Sequence, residues 1–317
     1  MDFAPVPRLR PGDPVAVVAP AGMPRAPDLR RGLDLLAARY EVLTARDLLA
    51  LEPHGPLAGT DDARAAELRW AIAHPRAKCI FAARGGYGSA RVVDGALLDA
   101  LVSNPRLVVG FSDLTVLLCG ALSRSLRAVH GPMVCQLGTE GREGLFDLLH
   151  PLLDVAAPPP PSRSLETLVA GMARGPLVGG NIAILSHLVG TGLLPTFQGA
   201  ILALEDVGER PYRIDRCLVH LEMAGALDGV AGLVFGDLVE CEPQGTDWTA
   251  REVVTAFCRR ICVPAVIGLP IGHGAWNVPL PLGARVELAA TDGVLSFLEP
   301  VVTEDTHPPS PSGRGPG

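Results

Sequence analysis

Three apolar segments of the chain end in side chains that hydrolytic enzymes use. RLVVGFSD delivers Ser112, AILALEDVGERPYR delivers Glu205, and AVIGLPIGHGAW delivers His273. A hydroxyl, an imidazole that takes its proton and a carboxylate that fixes the imidazole tautomer together form an acyl-transfer site. The residue types therefore predict covalent catalysis by Ser112, provided that the fold brings the three segment ends together.

Each of these residues also has an ordinary structural interpretation. Ser112 precedes an apolar-periodic segment, so it can be the N-cap of a helix. His273 lies between two glycines and can be a turn residue, and Glu205 can be an acid paired with a nearby arginine. His130 and Asp237 also follow apolar runs. Spacing alone therefore does not choose among the candidate bases and acids.

The segment ARGGYGSAR, residues 83–91, is a second candidate for chemistry. Paired glycines permit positive φ and let backbone amides approach a ligand. The segment matches neither a dinucleotide-binding nor a Walker motif, although such a loop can cradle a phosphate. Alternatively, an amide of this loop and the amide of Asp113 can stabilise a developing oxyanion. Arg84 and Arg91 can then hold a substrate carboxylate.

The elements that must position these residues alternate between strand and helix in the first half. Strands are predicted at PVAVVAP, YEVLTAR, KCIFAA and RLVVGFSD, with amphipathic helical segments between them. This alternation predicts an α/β fold with a parallel sheet covered by helices, whose ligands bind at the carboxyl ends of the strands. The motif around the serine is G-F-S-D-L, with Leu114 where a typical α/β-hydrolase has glycine, so that fold is not expected.

The pattern changes after residue 150. Residues 151–176 contain four consecutive prolines and predict a linker. From 177 to 305, short apolar runs separated by Gly and Pro predict a smaller, β-rich α+β domain that carries the acid and the histidine. Residues 1–150 are then the domain of the nucleophile. The Pro-rich residues 306–317 predict a disordered tail.

Composition excludes several classes of function. The formal net charge is −7 and no basic block is present, which argues against a nucleic-acid partner. The N-terminus lacks the continuous apolar region of a signal peptide, and no run of eighteen apolar residues predicts a membrane span. We therefore expect a cytoplasmic protein. Seven cysteines form no C-x-x-C pair, and we predict neither a metal nor a cofactor.

Six segments together resemble a known family. RGGYGSAR, GFSDLT, HGPM, GGN, LEDVGERPYRIDRCLVHL and GLPIGHG occur in this order. They resemble the LD-carboxypeptidases, a serine peptidase family that also contains the microcin C immunity peptidases. The resemblance covers Pro14 to Leu298 apart from the linker. It implies a flavodoxin-like or amidotransferase-like first domain, a small β-rich second domain, an active site between them, and a homodimer.

The resemblance also implies a role for each candidate residue. The family's nucleophile matches Ser112, its acid matches Glu205 and its base matches His273. The oxyanion amides match those of Gly86 and Asp113.

Three residues of the glycine loop, Arg84, Gly85 and Tyr87, are then the substrate-binding candidates. His130 and Asp237 are no longer needed as base and acid. Members of the LD-carboxypeptidase kind remove the terminal D-alanine from cytoplasmic murein tetrapeptide during cell-wall recycling, at the bond after the L-centre of diaminopimelate. A microcin-type peptidase acting on peptidyl nucleotides and a non-catalytic protein that binds a phosphorylated metabolite are the alternatives.

Overall fold

The computed structural model describes residues 2–142, 144–243, 245 and 248–304. The strands are β1 Val6–Pro7, β2 Pro14–Val18, β3 Glu41–Leu43, β4 Cys79–Ala82, β5 Leu107–Gly110, β6 Ala128–His130, β7 Glu166–Val169, β8 Met172–Asn181, β9 Ile201–Val207, β10 Gly232–Val239, β11 Ala265–Ile267, β12 Leu280–Leu282, β13 Arg285–Ala289, β14 Val294–Phe297 and β15 Val302–Thr303. The α-helices are α1 Ala26–Ala37, α2 Asp61–Ala73, α3 Gly95–Ser103, α4 Thr115–Ser123, α5 Val134–Leu137, α6 Gly144–Asp154, α7 Ile182–His187, α8 Pro211–Met223 and α9 Ala250–Ile261.

The first sheet has the strand order β12-β6-β5-β4-β2-β3. Strands β2 to β6 pair in parallel, and β12 joins β6 antiparallel. Strands β4 and β5 are buried along their whole length. Continuous apolar strands of this kind are typical of a parallel sheet that helices cover on both faces. The predicted α/β fold is confirmed.

The second sheet is mixed and has the order β14-β13-β8-β9-β10-β11-β7. Strands β8 to β11 are parallel, whereas β7, β13 and β14 pair antiparallel with their neighbours. Helices α7, α8 and α9 belong to the same half of the chain and make it an α+β unit. The second, β-rich part of the fold prediction is confirmed as well.

The predicted linker, residues 151–176, contains regular structure at both ends. Helix α6 continues through Pro151 to Asp154, and strand β7 and the first part of β8 occupy its last third. The irregular segment with the four prolines runs from 155 to 165. The predicted tail, 306–317, lies outside the described residues. No helix within the described ranges is long and apolar enough to cross a membrane.

The two sheets pack on each other through the start of α4. The Asn181 N–H at the end of β8 donates to Thr115 Oγ1 over 3.1 Å. Glycine is required at the preceding position because a Cβ on Gly180 would lie 2.6 Å from that same Thr115 oxygen. One buried apolar cluster includes Val108 of the first sheet and Val178 of the second. This packing brings the start of α4 against the carboxyl end of β8.

Candidate active site

Ser112 lies directly after β5, at the start of a 3₁₀ turn, Ser112–Leu114, that leads into α4. Its φ is +60°, in the left-handed region that non-glycine residues rarely adopt. The N-cap of the turn is Phe111 and that of α4 is Leu114, so the Ser112 hydroxyl does not cap either helix. The ordinary cap interpretation of Ser112 is therefore wrong. Backbone strain of this kind is frequent at functional sites.

Ser112, His273 and Glu205 form one hydrogen-bonded chain. His273 Nε2 lies 3.1 Å from Ser112 Oγ, and His273 Nδ1 lies 2.8 Å from Glu205 Oε2. The Glu205 side chain is fully buried. A base within this distance of a hydroxyl can take its proton, and a carboxylate on the other ring nitrogen orients the base. The structure thus brings together the three residues that the segment ends predict.

Gly272 allows the carboxylate to reach the histidine. Its φ is +99°, and a Cβ at this position would lie only 2.4 Å from Glu205 Oε2. The Gly272 N–H donates to Asn277 Oδ1 over 2.9 Å, and Asn277 Nδ2 donates to Gln136 Oε1 over 3.0 Å. The fully buried Asn277 was not among the sequence candidates. Its signal in the sequence is a single amide inside the otherwise apolar WNVPLPL.

Two backbone amides next to Ser112 are available to a ligand. Among the described residues, neither the Gly86 N–H nor the Asp113 N–H donates to a protein acceptor. Gly85 approaches the serine so closely that a Cβ on it would lie 3.2 Å from Ser112 Oγ. The Asp113 side chain accepts the Ser89 N–H over 2.8 Å, which ties the glycine loop to the turn of the serine. Free N–H groups in such positions can stabilise an oxyanion.

The buried guanidinium of Arg64 anchors the far end of the glycine loop. Arg64 Nη1 donates to the Gly88 carbonyl over 2.8 Å. Arg91 forms an ion pair with Asp61, and this carboxylate raises the pKa of Arg91 above its ordinary value. The expectation that Arg91 holds a substrate carboxylate stays a prediction, and Asp61 would compete with the substrate for its guanidinium.

Arg84 and Tyr87, also predicted to bind substrate, are exposed at the surface of the loop. Arg84 donates one hydrogen bond to the Met23 carbonyl and forms no ion pair among the described side chains. The Tyr87 side chain is 56% exposed. Both side chains are accessible to a ligand that approaches the loop from solvent.

Comparison with known protein families assigns the chain to one of them. Residues 15–131 match the LD-carboxypeptidase N-terminal domain, and residues 174–288 match the LD-carboxypeptidase C-terminal domain. The chain belongs to the LD-carboxypeptidase family. Its members are serine-type carboxypeptidases. The resemblance expected from the six sequence segments is confirmed.

Individual family members align over most of the chain. A predicted carboxypeptidase of Synechocystis is 40% identical over 294 residues, which cover 92% of this chain and 96% of that protein. The murein tetrapeptide carboxypeptidase of Pseudomonas aeruginosa is 31% identical over 249 residues, covering 73% and 79%. The chain is thus similar along nearly its full length to the first carboxypeptidase, and along 73% of its length to the one named for murein tetrapeptide.

Two solved structures have a fold similar to that of the chain. The crystal structure of muramoyltetrapeptide carboxypeptidase from Oxalobacter formigenes superposes with a TM-score of 0.77 at 29% identity, covering 90% of this chain and 97% of that one. MccF in complex with glutamyl sulfamoyl guanosine superposes with a TM-score of 0.82 at 20% identity, covering 94% and 99%. The second likeness shows a common fold.

In this LD-carboxypeptidase, the carboxylates of Asp206 and Asp237 lie near Glu205, toward the ends of strands β9 and β10. Burial raises the pKa of Asp206. Three hydrogen-bond donors, among them Asn181 Nδ2 at 2.9 Å, oppose this effect, and the resulting pKa is about 6. Burial and the nearby charge of Glu205 raise the pKa of Asp237. Burial also lowers the pKa of His130, which favours its neutral form. His130 and Asp237, the alternatives that spacing left open, are not members of the hydrogen-bonded chain.

No metal site accompanies these groups in the described part of the chain. There, no set of three or more His, Cys, Asp and Glu side chains is placed to hold an ion.

Proposed function

We propose that this chain is a serine LD-carboxypeptidase that removes the terminal D-alanine from murein tetrapeptide in the cytoplasm, as a step of cell-wall recycling. The observation that carries the proposal is the chain of hydrogen bonds from Ser112 through His273 to Glu205, with 3.1 and 2.8 Å between the paired atoms. Family membership and the murein tetrapeptide relative support the same substrate class.

The reaction begins with attack by Ser112. His273 Nε2 accepts the hydroxyl proton as Ser112 Oγ adds to the carbonyl carbon of the bond before D-alanine. Glu205 keeps His273 in the tautomer whose Nε2 is free to accept, and its negative charge stabilises the imidazolium that forms. The complete burial of Glu205 strengthens this interaction because water does not screen it.

The oxyanion of the tetrahedral intermediate is placed between the Gly86 and Asp113 amides. In comparable sites each donor contributes about 3 kcal/mol to the transition state. The intermediate collapses when His273 returns its proton to the amine of D-alanine, which leaves as the C–N bond breaks. Water, deprotonated by His273, then adds to the acyl-enzyme and releases the shortened peptide and the Ser112 hydroxyl.

Arg84 is the cationic group for the terminal carboxylate of the substrate. It lies next to Gly85, whose Cα is close to the Ser112 hydroxyl, and its exposed guanidinium has no acidic partner among the described side chains. The exposed ring of Tyr87 borders the same loop. Recognition of a free carboxylate beside the scissile bond accounts for cleavage at the chain end only.

The test is D-alanine release from murein tetrapeptide by the purified protein. Ser112→Ala is expected to lower kcat by at least about 10⁴-fold because the nucleophile is lost. Ser125→Ala is the matched control: Ser125 also has a φ of +60° but lies at the end of α4 in solvent, so its activity should stay within about twofold. Unchanged release by Ser112→Ala would overturn the proposal.

Two further measurements define the specificity and the assembly. Wild-type protein is compared on the tetrapeptide and on an aminoacyl sulfamoyl adenosine, and faster hydrolysis of the nucleotide would identify a microcin-type peptidase instead. Light scattering after gel filtration tests the homodimer that we propose, and a mass of one chain at micromolar concentration would contradict it.

A further inference from the structure

His130 is a buried imidazole that no other group in the described part of the chain bonds. It ends β6, where it pairs through the backbone with Gly110 of β5 and Leu280 of β12. The residue is 1% exposed, and among the described residues neither Nδ1 nor Nε2 has a hydrogen-bond partner outside His130 itself. Buried polar side chains nearly always have a partner, so an unpaired ring at this place needs an explanation.

Glu205 has a buried carboxylate oxygen that needs a hydrogen-bond donor. Its Oε2 accepts the bond from His273, but its Oε1 is also buried and has no hydrogen-bond partner within the described ranges. A carboxylate can accept about four hydrogen bonds, and a buried one with a single donor is costly to keep charged. The acid of the proposed reaction therefore lacks a second donor.

The rings of His130 and His273 both pack against Phe111, so His130 lies close to the histidine that Glu205 holds. The Phe111 ring packs 5.7 Å from the His130 ring and 4.8 Å from the His273 ring, measured between centroids. Two titratable groups act electrostatically on His130: Glu205 on β9 and His273 on the loop after β11. Burial holds His130 neutral, so one ring nitrogen carries a proton that it can donate.

We infer that His130 is a positioning residue for the reaction: its ring N–H donates through one water molecule to Glu205 Oε1 and fixes the carboxylate against His273. This inference rests on the proposed function. With both oxygens bonded, Glu205 stays ionised while His273 becomes an imidazolium, and it cannot rotate away from Nδ1. His130 itself does not contact the substrate.

The consequence is a selective loss of turnover when the donor is removed. His130→Leu, which has no donor, should lower kcat about 10- to 100-fold, the effect of one hydrogen bond to a charged group. KM should stay within about twofold because no substrate contact is lost. The acidic limb of the kcat/KM profile should move to lower pH, because a loosened Glu205 stabilises the imidazolium form of His273 less.

Two variants separate positioning from packing. His130→Asn and His130→Gln each restore an N–H, and at least one should recover about tenfold of the lost kcat together with the wild-type acidic limb. Val129→Ala is the control: Val129 is fully buried on the same strand, so its loss weakens packing without removing a donor and should leave the limb in place.

Three outcomes overturn the inference. His130→Leu has the wild-type kcat and pH profile, all His130 variants lose the same factor in kcat, or Val129→Ala shifts the acidic limb as far as His130→Leu does. Should His130→Leu fail to fold, ring nitrogen NMR of the wild type decides. One exchange-protected His130 N–H resonance that shifts in Glu205→Gln is expected, and no shift refutes the contact. Failure of the proposed function is distinguishable, because wild-type protein would then release no D-alanine while the NMR result stands.

Discussion

A methyl group added at Gly272 should separate the acid from the base. Gly272→Ala places a Cβ 2.4 Å from Glu205 Oε2, whereas ordinary contacts begin near 3.4 Å. The carboxylate must retreat by about 1 Å, which lengthens its 2.8 Å bond to His273 beyond hydrogen-bonding range. A displacement of this size in a catalytic geometry costs about 10²-fold in rate.

The same substitution also strains the backbone. The variant Gly268→Ala serves as a control that measures the cost of this strain alone. Gly268 has a φ of +98°, almost equal to the +99° of Gly272, but an added Cβ there has no neighbour within 4 Å. A left-handed alanine costs about 1–2 kcal/mol. Gly268→Ala should therefore lose that stability and keep its activity, and Gly272→Ala should lose both.

The assay combines urea unfolding with steady-state release of D-alanine for the two variants and the wild type. The expected result is a kcat/KM about 10²-fold lower for Gly272→Ala than for Gly268→Ala, measured where both proteins are folded. Equal kcat/KM values would refute the reasoning, because they would mean that the carboxylate does not need its position on His273. A comparable loss in Gly268→Ala would assign the effect to strain alone.

Three further predictions concern stability and are checked by urea unfolding. The pKa of Asp206 is raised from 3.8 to about 6, so its contribution to the free energy of unfolding is complete below about pH 4 and is lost as the pH rises through about 6. Between pH 4 and pH 7, the free energy of unfolding of Asp206→Asn should therefore rise by up to about 3 kcal/mol relative to that of the wild type. Parallel curves of unfolding free energy against pH for the two proteins would contradict this. Tyr40→Phe removes the hydroxyl that donates to the buried carboxylate of Asp154 over 2.5 Å and should cost about 1–3 kcal/mol; a loss below about 0.5 kcal/mol would be inconsistent with that bond. Thr249→Ala breaks the capping box with Glu252 at the start of α9 and should cost about 1 kcal/mol, and an unchanged midpoint would show that the cap is dispensable.

The fold was predictable where local pattern and burial agree. CIFA and LVVG are continuous apolar runs, and both become central parallel strands because no face of such a strand meets water. Helices such as α1 and α9 follow from amphipathic spacing, and α2 begins at the Thr60 cap. Each of these elements depends mainly on its own residues.

Contacts between segments that are distant in the chain could not be predicted from the sequence. Leu280–Leu282, with a proline at its centre, has no strand signal of its own, and its pairing with β6 places it at a sheet edge, where proline is tolerated. The approach of Gly272 to Glu205 and the burial of Asn277 likewise depend on how two loops meet. They appear in the sequence only as a glycine and an amide.

The candidate site shows the same division. Strand ends bearing Ser112, Glu205 and His273 were evident, but so were those bearing His130 and Asp237, and periodicity ranks them equally. The resemblance to a family selected three of the five. In the structure the selection has a geometric cause, since only these three side chains form one hydrogen-bonded chain.

Strand β12 has a consequence for how the protein is made. Leu280 pairs with His130, 150 positions earlier, so β6 leaves the ribosome long before its neighbour exists. Until then the edge of β6 presents unpaired N–H and C=O groups, a template for association with other chains. Contacts of such high sequence separation also form slowly. Premature termination before residue 280 should therefore yield aggregating fragments, and the nascent chain carries its serine without its histidine while residues 113–272 are made.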